Sequence, residues 1–123
     1  MRTVINAAII QDKKILLVKK KETWILPGGK PDGGESDLEC LCREISEELS
    51  GTQIENAKYW KEFEGRTPHT GDIIKARIYL ADIKGQLYSF NREISGMAWV
   101  GYGEAANYKI SEITKSILSE LCR

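Results

Sequence analysis

The sequence predicts an α/β fold, a mixed β-sheet held between helices, and three observations carry that prediction. Two β-rich runs, Thr3 to Ile10 and Ile15 to Lys19, stand at the start. An uninterrupted helical stretch follows Ser36, and after it the alternating strand Ile73 to Ala81. The last residues return to helical spacing. A chain of 123 residues holding these elements is expected to form a single domain over residues 1–123, with room for a real core and little beyond it.

Taken in order, the two opening strands are separated by the polar turn Gln11 to Lys14. Ala7, Ile9 and Leu16 to Val18 are apolar enough for burial on both faces, as in a central sheet, although Asn6 interrupts the run from Val4 to Ile10. Lys19 to Lys21 follow, read either as a solvated strand end or as an electropositive lip for a phosphorylated ligand. Trp24 to Leu26 then leads into the stretch on which the rest depends, GGKPDGGESDLECLCREISEELSG from Gly28 to Gly51.

Its first part is a glycine-rich loop of Gly28, Gly29, Gly33 and Gly34 around Lys30, Pro31 and Asp32, where backbone can turn tightly and approach a ligand. Ser36 with Glu39 three residues on is a capping box, and Gly51 is the expected stop of the helix. At about 100° per residue, Leu38, Leu41, Cys42, Ile45 and Leu49 form the apolar stripe, with Cys40 nearer the acidic face. Glu44, Glu47 and Glu48 fall on its shoulder, Glu48 only about 20° from Leu41. Acids crowded there repel by roughly 1–4 kcal/mol per pair at 4 Å. A proton would offset that, and so would a hard divalent cation shared with phosphate oxygens. Read from residues alone, the stretch is either a metal-phosphate site, with loop amides and Lys30 serving the phosphate, or a solvated acidic helix after a turn.

Beyond the helix, Gln53 to Glu64 is expected to be extended, carrying Tyr59, Trp60 and Phe63; Arg66 to Asp72 is a loop or hairpin end. Ile74, Ala76, Ile78 and Leu80 share one face of the next strand, with Lys75, Arg77 and Tyr79 on the other. Gly85 is expected to interrupt it, leaving Leu87 to Phe90 short or irregular; Met97 to Val100 is a further strand and Gly101 to Tyr108 a loop or helical turn. Ile110, Ile113, Ile117, Leu118 and Leu121 define the terminal amphipathic helix.

Charge and cysteines exclude several classes. With 18 basic and 18 acidic residues the formal charge is zero, which argues against a nucleic acid polymer as partner. The apolar run Val4 to Ile10 is too short for a membrane span or a convincing signal peptide, so no membrane partner and a cytoplasmic location are expected. Cys40, Cys42 and Cys122 give no disulfide framework and are read as reduced, with Cys42 in the core. His69, the sole histidine, is read as an incidental loop residue.

Gly29, Glu35, Arg43, Glu44, Ile45, Glu47 and Glu48 stand at the spacing of the Nudix hydrolase box, and the chain resembles that family there over about a fifth of its length. The match departs at the end, where Ser50 occupies the family's glycine place and Gly51 its last apolar place, so the helix is expected to run one position longer. The resemblance implies an α/β/α sandwich with the box helix on the sheet, and Mg²⁺-dependent hydrolysis, Mn²⁺ being an alternative, of a nucleoside diphosphate linked to another group.

Carried over by position, the resemblance makes Glu47 and Glu48 principal metal ligands and Glu44 a further ligand or the general base. A carbonyl of Gly28 or Gly29 completes the shell, Arg43 orients the acids, and Glu35 holds the loop or an outer metal. Glu93 is the candidate acid outside the box, with Glu62, Glu64 and Glu104 as alternatives. Lys30, Gly29 and Trp99 are the substrate-binding candidates; Trp24, Trp60 and Tyr102 are further aromatic residues that either stack on a base or belong to the core.

Leu26 to Lys30 ahead of the box resembles the MutT-like enzymes that cleave nucleoside triphosphates to monophosphate and pyrophosphate, the first expectation for substrate. Pro68 favours ADP-ribose or another diphosphate-linked substrate instead. A nucleotide-binding sensor without turnover is the reading from a different class. The expected partner is a small-molecule nucleotide, and the expected assembly a monomer or homodimer.

Overall fold

Asp12 and Lys13 both take positive φ, 51° and 61°. That geometry matches the natural twist of a tight hairpin. It joins β1, Arg2–Gln11, to β2, Lys14–Lys20, as an antiparallel pair in the computed structural model, which describes residues 1–91 and 93–122. Short β3, Thr23–Ile25, adds to β2, and the two-residue β4, Gly28–Gly29, pairs with β1 at Ile5 and Asn6.

Helix α1 is Asp37–Glu48, followed by β5, Leu49–Arg66, and β6, Ile73–Phe90. The chain closes with β7, Ile94–Gly101, a 3-10 helix at Tyr102–Asn107 and α2, Glu112–Leu121, capped by Ser111. The main sheet order is β3-β2-β1-β6-β5, with β7 also on β2; β1 and β6 run parallel and the other pairings are antiparallel. This is the mixed sheet expected from the element order.

Strand alternation splits the core in two. Ile5, Ala7 and Ile9 of β1 and Leu16 and Val18 of β2 meet Leu41 and Ile45 of α1 on one face. Ala8, Ile15 and Leu17 point the other way, with Ile74, Ala76 and Ile78, onto Ile113, Ile117 and Leu118 of α2. Burying each of these aliphatic side chains contributes about 1.5–3 kcal/mol, so two helices on opposite faces of one sheet follow from β1 and β2 being apolar on both sides.

Three local expectations are corrected. Helix α1 is rolled toward its acids: Cys40 is buried, while Leu38 and Cys42 are exposed. The cause is the neighbour on that side, β4, whose Gly29 carbonyl lies 3.6 Å from Cys40 Sγ. The helix also ends sooner than expected, at Glu48 with Leu49 as its cap. Gly51 instead lies inside β5, and Gly85 inside an unbroken β6 that runs on to Phe90.

The reason is reciprocal: both glycines have φ +96°, and a Cβ on either would strike the opposing strand, at the Gln86 carbonyl for Gly51 and the Gly51 carbonyl for Gly85. They permit the crossing that a side chain would block. Gly85→Ala is expected to destabilise the protein by about 1–3 kcal/mol, read from urea denaturation. An unchanged midpoint would show that the strands separate there at no cost.

Candidate active site

The site is assembled where α1 meets β4. The Ser36 capping box is present in full: Glu39 N donates to Ser36 Oγ at 3.2 Å and Ser36 N to Glu39 Oε1 at 2.9 Å. With its start fixed, α1 presents Glu44 and Glu48 to the glycine loop. Glu48 is 4% exposed and its Oε1 accepts from Gly28 N at 2.9 Å. Gly29 is needed for close approach, since a Cβ there would lie 2.5 Å from Glu44 Cδ.

Arg43 ties these parts together. Its Nε and Nη2 donate to the two oxygens of Glu35 at 2.8 and 3.0 Å, and Nη1 to Glu44 Oε1 at 2.9 Å. Nη2 also reaches the Lys30 carbonyl at 3.2 Å, and Nη1 lies 3.5 Å from Glu47 Oε2. Glu35 in turn accepts from Asp32 N at 2.7 Å, which pins the loop. Repulsion among the acids is thus partly offset from within the helix, by the same Arg43 that the resemblance has orienting them.

The carboxyls are held in different states. Burial pushes Glu48 up to about 8, against the Gly28 amide and Lys20, which favour its charge. Burial also raises Glu44 despite Arg43 beside it. The Arg43 hydrogen bonds bring Glu35 down to about 2, and Arg43 is held still more firmly protonated than usual. Glu47 is half exposed.

For a divalent cation the test is the donor set. No three His, Cys, Asp or Glu side chains among the described residues close into a ready cage. Mg²⁺ does not ask for one, since it keeps waters and phosphate oxygens around one or two carboxylates. A buried Glu48 whose one protein partner is an amide, with Glu44 against Gly29, is an all-oxygen, partly open set of that kind. The residues fit the ion.

From Gly28, Gly29 and Lys30 a cavity of about 840 Å³ runs to the α2 face of the sheet. Its inner wall is aliphatic, from Val4, Leu26, Ile74, Ile78 and Ile113, with Asn6, Ser111 and Thr114 as polar groups. Lys20, Lys21, Glu22 and Glu93 form one rim, and Arg66 to Thr70 the other. His69 spans them, its Nε2 3.2 Å from the Lys20 carbonyl. A carbonyl only accepts, so Nε2 carries the proton there.

Glu93 borders this cavity, exposed and 3.2 Å from Lys20 Nζ. Glu104 instead bonds Gly101 N at 3.0 Å, and Glu62 faces Lys75 at 3.9 Å, neither lining the cavity. The aromatic candidates lie apart from the cavity. Trp99 packs on the α1-side cluster, Trp24 and Tyr102 on the α2-side cluster, and Trp60 against Phe63; none of them lines the cavity. Each of these rings is half-buried against its cluster, and the cavity wall itself is aliphatic. Lys20 at the cavity rim fits the electropositive lip read from Lys19 to Lys21, whereas His69 and Asn6 line the cavity without a site role in the sequence reading; the break Asn6 makes in an apolar strand was the available signal.

Because its folded carboxyl is lowered from 4.5 to about 2, Glu35 contributes stability that is fully present above pH 4.5 and is lost as pH falls through about 2. Glu35→Gln is therefore expected to lie below the wild type in urea unfolding at pH 6, with the gap shrinking steadily toward pH 2.5. A gap independent of pH would remove the Arg43 bond as its cause.

Comparison with known proteins agrees with this architecture. The family model of the NUDIX domain matches residues 1–121. A Bacillus subtilis (strain 168) protein named for 8-oxo-dGTP diphosphatase activity is 31% identical over 110 residues, covering 87% of this chain and 70% of its own. The crystal structure of a MutT NUDIX hydrolase from Burkholderia pseudomallei superposes with a TM-score of 0.82 at 29% identity, covering 96% of this chain and 95% of the other. An ADP-ribose pyrophosphatase from Streptococcus suis shares the fold, with a TM-score of 0.69 at 21% identity over 98% of this chain and 87% of its own. With the box residues gathered at one helix and the family model running from residue 1 to 121, the chain belongs to the NUDIX family of hydrolases.

Proposed function

We propose that this Nudix hydrolase is a Mg²⁺-dependent pyrophosphohydrolase that cleaves a nucleoside triphosphate to the monophosphate and pyrophosphate. The observation that carries the reading is the cavity that begins at Gly28 and Gly29, against whose other side Glu48 and Glu44 lie without lining it, and that ends in an aliphatic chamber. Its volume of about 840 Å³ suits one nucleotide-sized ligand. Phosphates belong at the Gly28 to Lys30 end and the nucleoside at the other. The named activity of the Bacillus subtilis relative supports a triphosphate.

Glu48, Glu47 and Glu44 with a Gly28 carbonyl would hold the ion. Bound there, Mg²⁺ would neutralise phosphate charge and acidify water. Lys30, from the loop, adds positive charge beside the phosphates. Water attacks phosphorus, the P–O bond joining monophosphate to pyrophosphate breaks with its electron pair on whichever of the two departs, and Glu44 takes the proton of the attacking water where it is not bound to the ion. Arg43 keeps that carboxylate from drifting. Glu93, at the rim with Lys20, is the reserve acid for the same proton.

Pro68 at the cavity rim favours the second reading, a diphosphate-linked substrate such as ADP-ribose. A purified sample offered Mg²⁺ with nucleoside triphosphates, ADP-ribose and dinucleoside polyphosphates is expected to cleave a triphosphate with kcat/KM at least about 10-fold above the other classes. ADP-ribose cleaved ahead of every triphosphate would overturn the substrate, and binding without product would favour the sensor.

Glu48→Gln removes a ligand charge and almost no volume. It is expected to lower kcat by more than about 100-fold at saturating Mg²⁺ while circular dichroism and cooperative unfolding persist. Near-normal turnover would remove Glu48 from the ligand set.

A further inference from the structure

Asn6 is the polar break in an otherwise apolar central strand, and its surroundings fix what it can offer. Val4, Asn6 and Ala8 lie on the α2 face of β1, opposite the face that carries Ile5, Ala7 and Ile9. The Asn6 side-chain amide donates to the carbonyls of Leu26 and Pro27 at 3.2 and 3.3 Å. Both partners can only accept, so the NH₂ group must face them and the amide cannot be turned over.

That leaves Oδ1. It meets no donor among the described residues. Nor is it a buried orphan, since Arg77 Nε alone has that status among them. Asn6 lines the large cavity, and Oδ1 is thus a reachable acceptor of fixed direction set in an aliphatic wall.

Its place along the cavity identifies the group it would meet. Glu48 Oε1 is 2.9 Å from Gly28 N, and a Cβ on Gly28 would lie 2.8 Å from Asn6 Nδ2, so no more than about 8 Å separates the Glu48 carboxylate from this amide. Past Asn6, toward the start of β1, the chamber continues along Val4 and Ile74 to Arg2, whose register partner is Ile74. A nucleotide whose phosphates lie at the Gly28 end therefore brings its pentose to Asn6 and its base to the aliphatic wall beyond.

Resting on the nucleotide reading above, we propose that Asn6 is a specificity-determining residue whose fixed Oδ1 accepts a hydrogen bond from a pentose hydroxyl of the substrate. Selection at this point is for the sugar and is independent of the base. It also couples recognition to the loop, because the same side chain holds the Leu26 and Pro27 carbonyls just ahead of Gly28.

The test compares ribo-, 2′-deoxy- and 2′,3′-dideoxynucleotides of one base, offered on a 5′-triphosphate and on a 5′-diphosphoribose chain. For whichever chain is cleaved, the wild type is expected to lose about 10-fold or more in kcat/KM when its last pentose hydroxyl is removed. The step at which the loss occurs assigns the 2′ or the 3′ group. Asn6→Leu is expected to be slower on every substrate, through the loop, and to bring the dideoxy penalty to within about twofold.

Should that variant not fold, Asn6→Ser, which removes the amide and leaves a small polar side chain too short to reach the sugar, gives the same ratio. A wild-type enzyme indifferent to all three sugars, or a penalty unchanged by substitution, overturns the proposal. Cleavage confined to the diphosphoribose series would overturn the triphosphate reading alone, since the sugar ratio is then read on that series.

Discussion

The bidentate pair between Arg43 and Glu35 is the constraint from which the rest of the site follows. Glu35 belongs to the loop and Arg43 to the second turn of α1, and the remaining donors of the same guanidinium are spent on Glu44 and on the Lys30 carbonyl. One planar fork thereby sets the distance between loop and helix. A lysine would supply the charge without the two fixed directions, and the loop would then be free to swing about one contact. The pair is only partly exposed, with 28% of the Arg43 side chain and 18% of that of Glu35 in solvent, so water screens it less than an ordinary surface bridge.

That clamp explains why a helix can hold Glu48 in a place where a carboxylate is costly. Burial pushes the Glu48 carboxyl up, toward the neutral acid. The helix is nevertheless rolled so that Glu48 points inward and Leu38 outward, against what apolar burial on its own would select. Loop and helix are locked by Arg43, the helix start by Ser36 and Glu39, and the far side by packing of Leu41 and Ile45 on β1 and β2. Three restraints of different kinds thus hold this acid inward, and no one of them depends on the others.

The difference between what could and could not be read from the residues follows the range of the interactions. Hairpin, capping box and both amphipathic helices depend on neighbours within a few positions, and the seven box positions lie within twenty residues of one another; all were legible. The roll of α1 was not, because it is set by β4 docking on β1, and the box spacing constrains which acids are present without stating which way they face. Gly51 read as a helix stop because glycine serves equally well at a strand crossing, and only the partner Gly85 tells the two uses apart. The place of Trp99 apart from the cavity was hidden for a related reason: a ring in a strand has the same local signature whichever sheet face it lies on.

The architecture separates chemistry from recognition. The acids lie on α1, which covers one face of the sheet, whereas the chamber lies on the opposite face beneath α2. The two meet at β4, two residues long and paired to β1 at Ile5 and Asn6. Residues of the chamber such as Ile74, Ile113 and Thr67 make none of the hydrogen bonds or ion pairs that hold Arg43, so they can change without moving the carboxylates. Solved structures named for MutT and for an ADP-ribose pyrophosphatase share this fold, and a fold does not by itself fix a substrate. Asn6 is the exception, since it touches both the loop and the chamber, and it is there that a change of substrate and a change of rate would be hardest to separate.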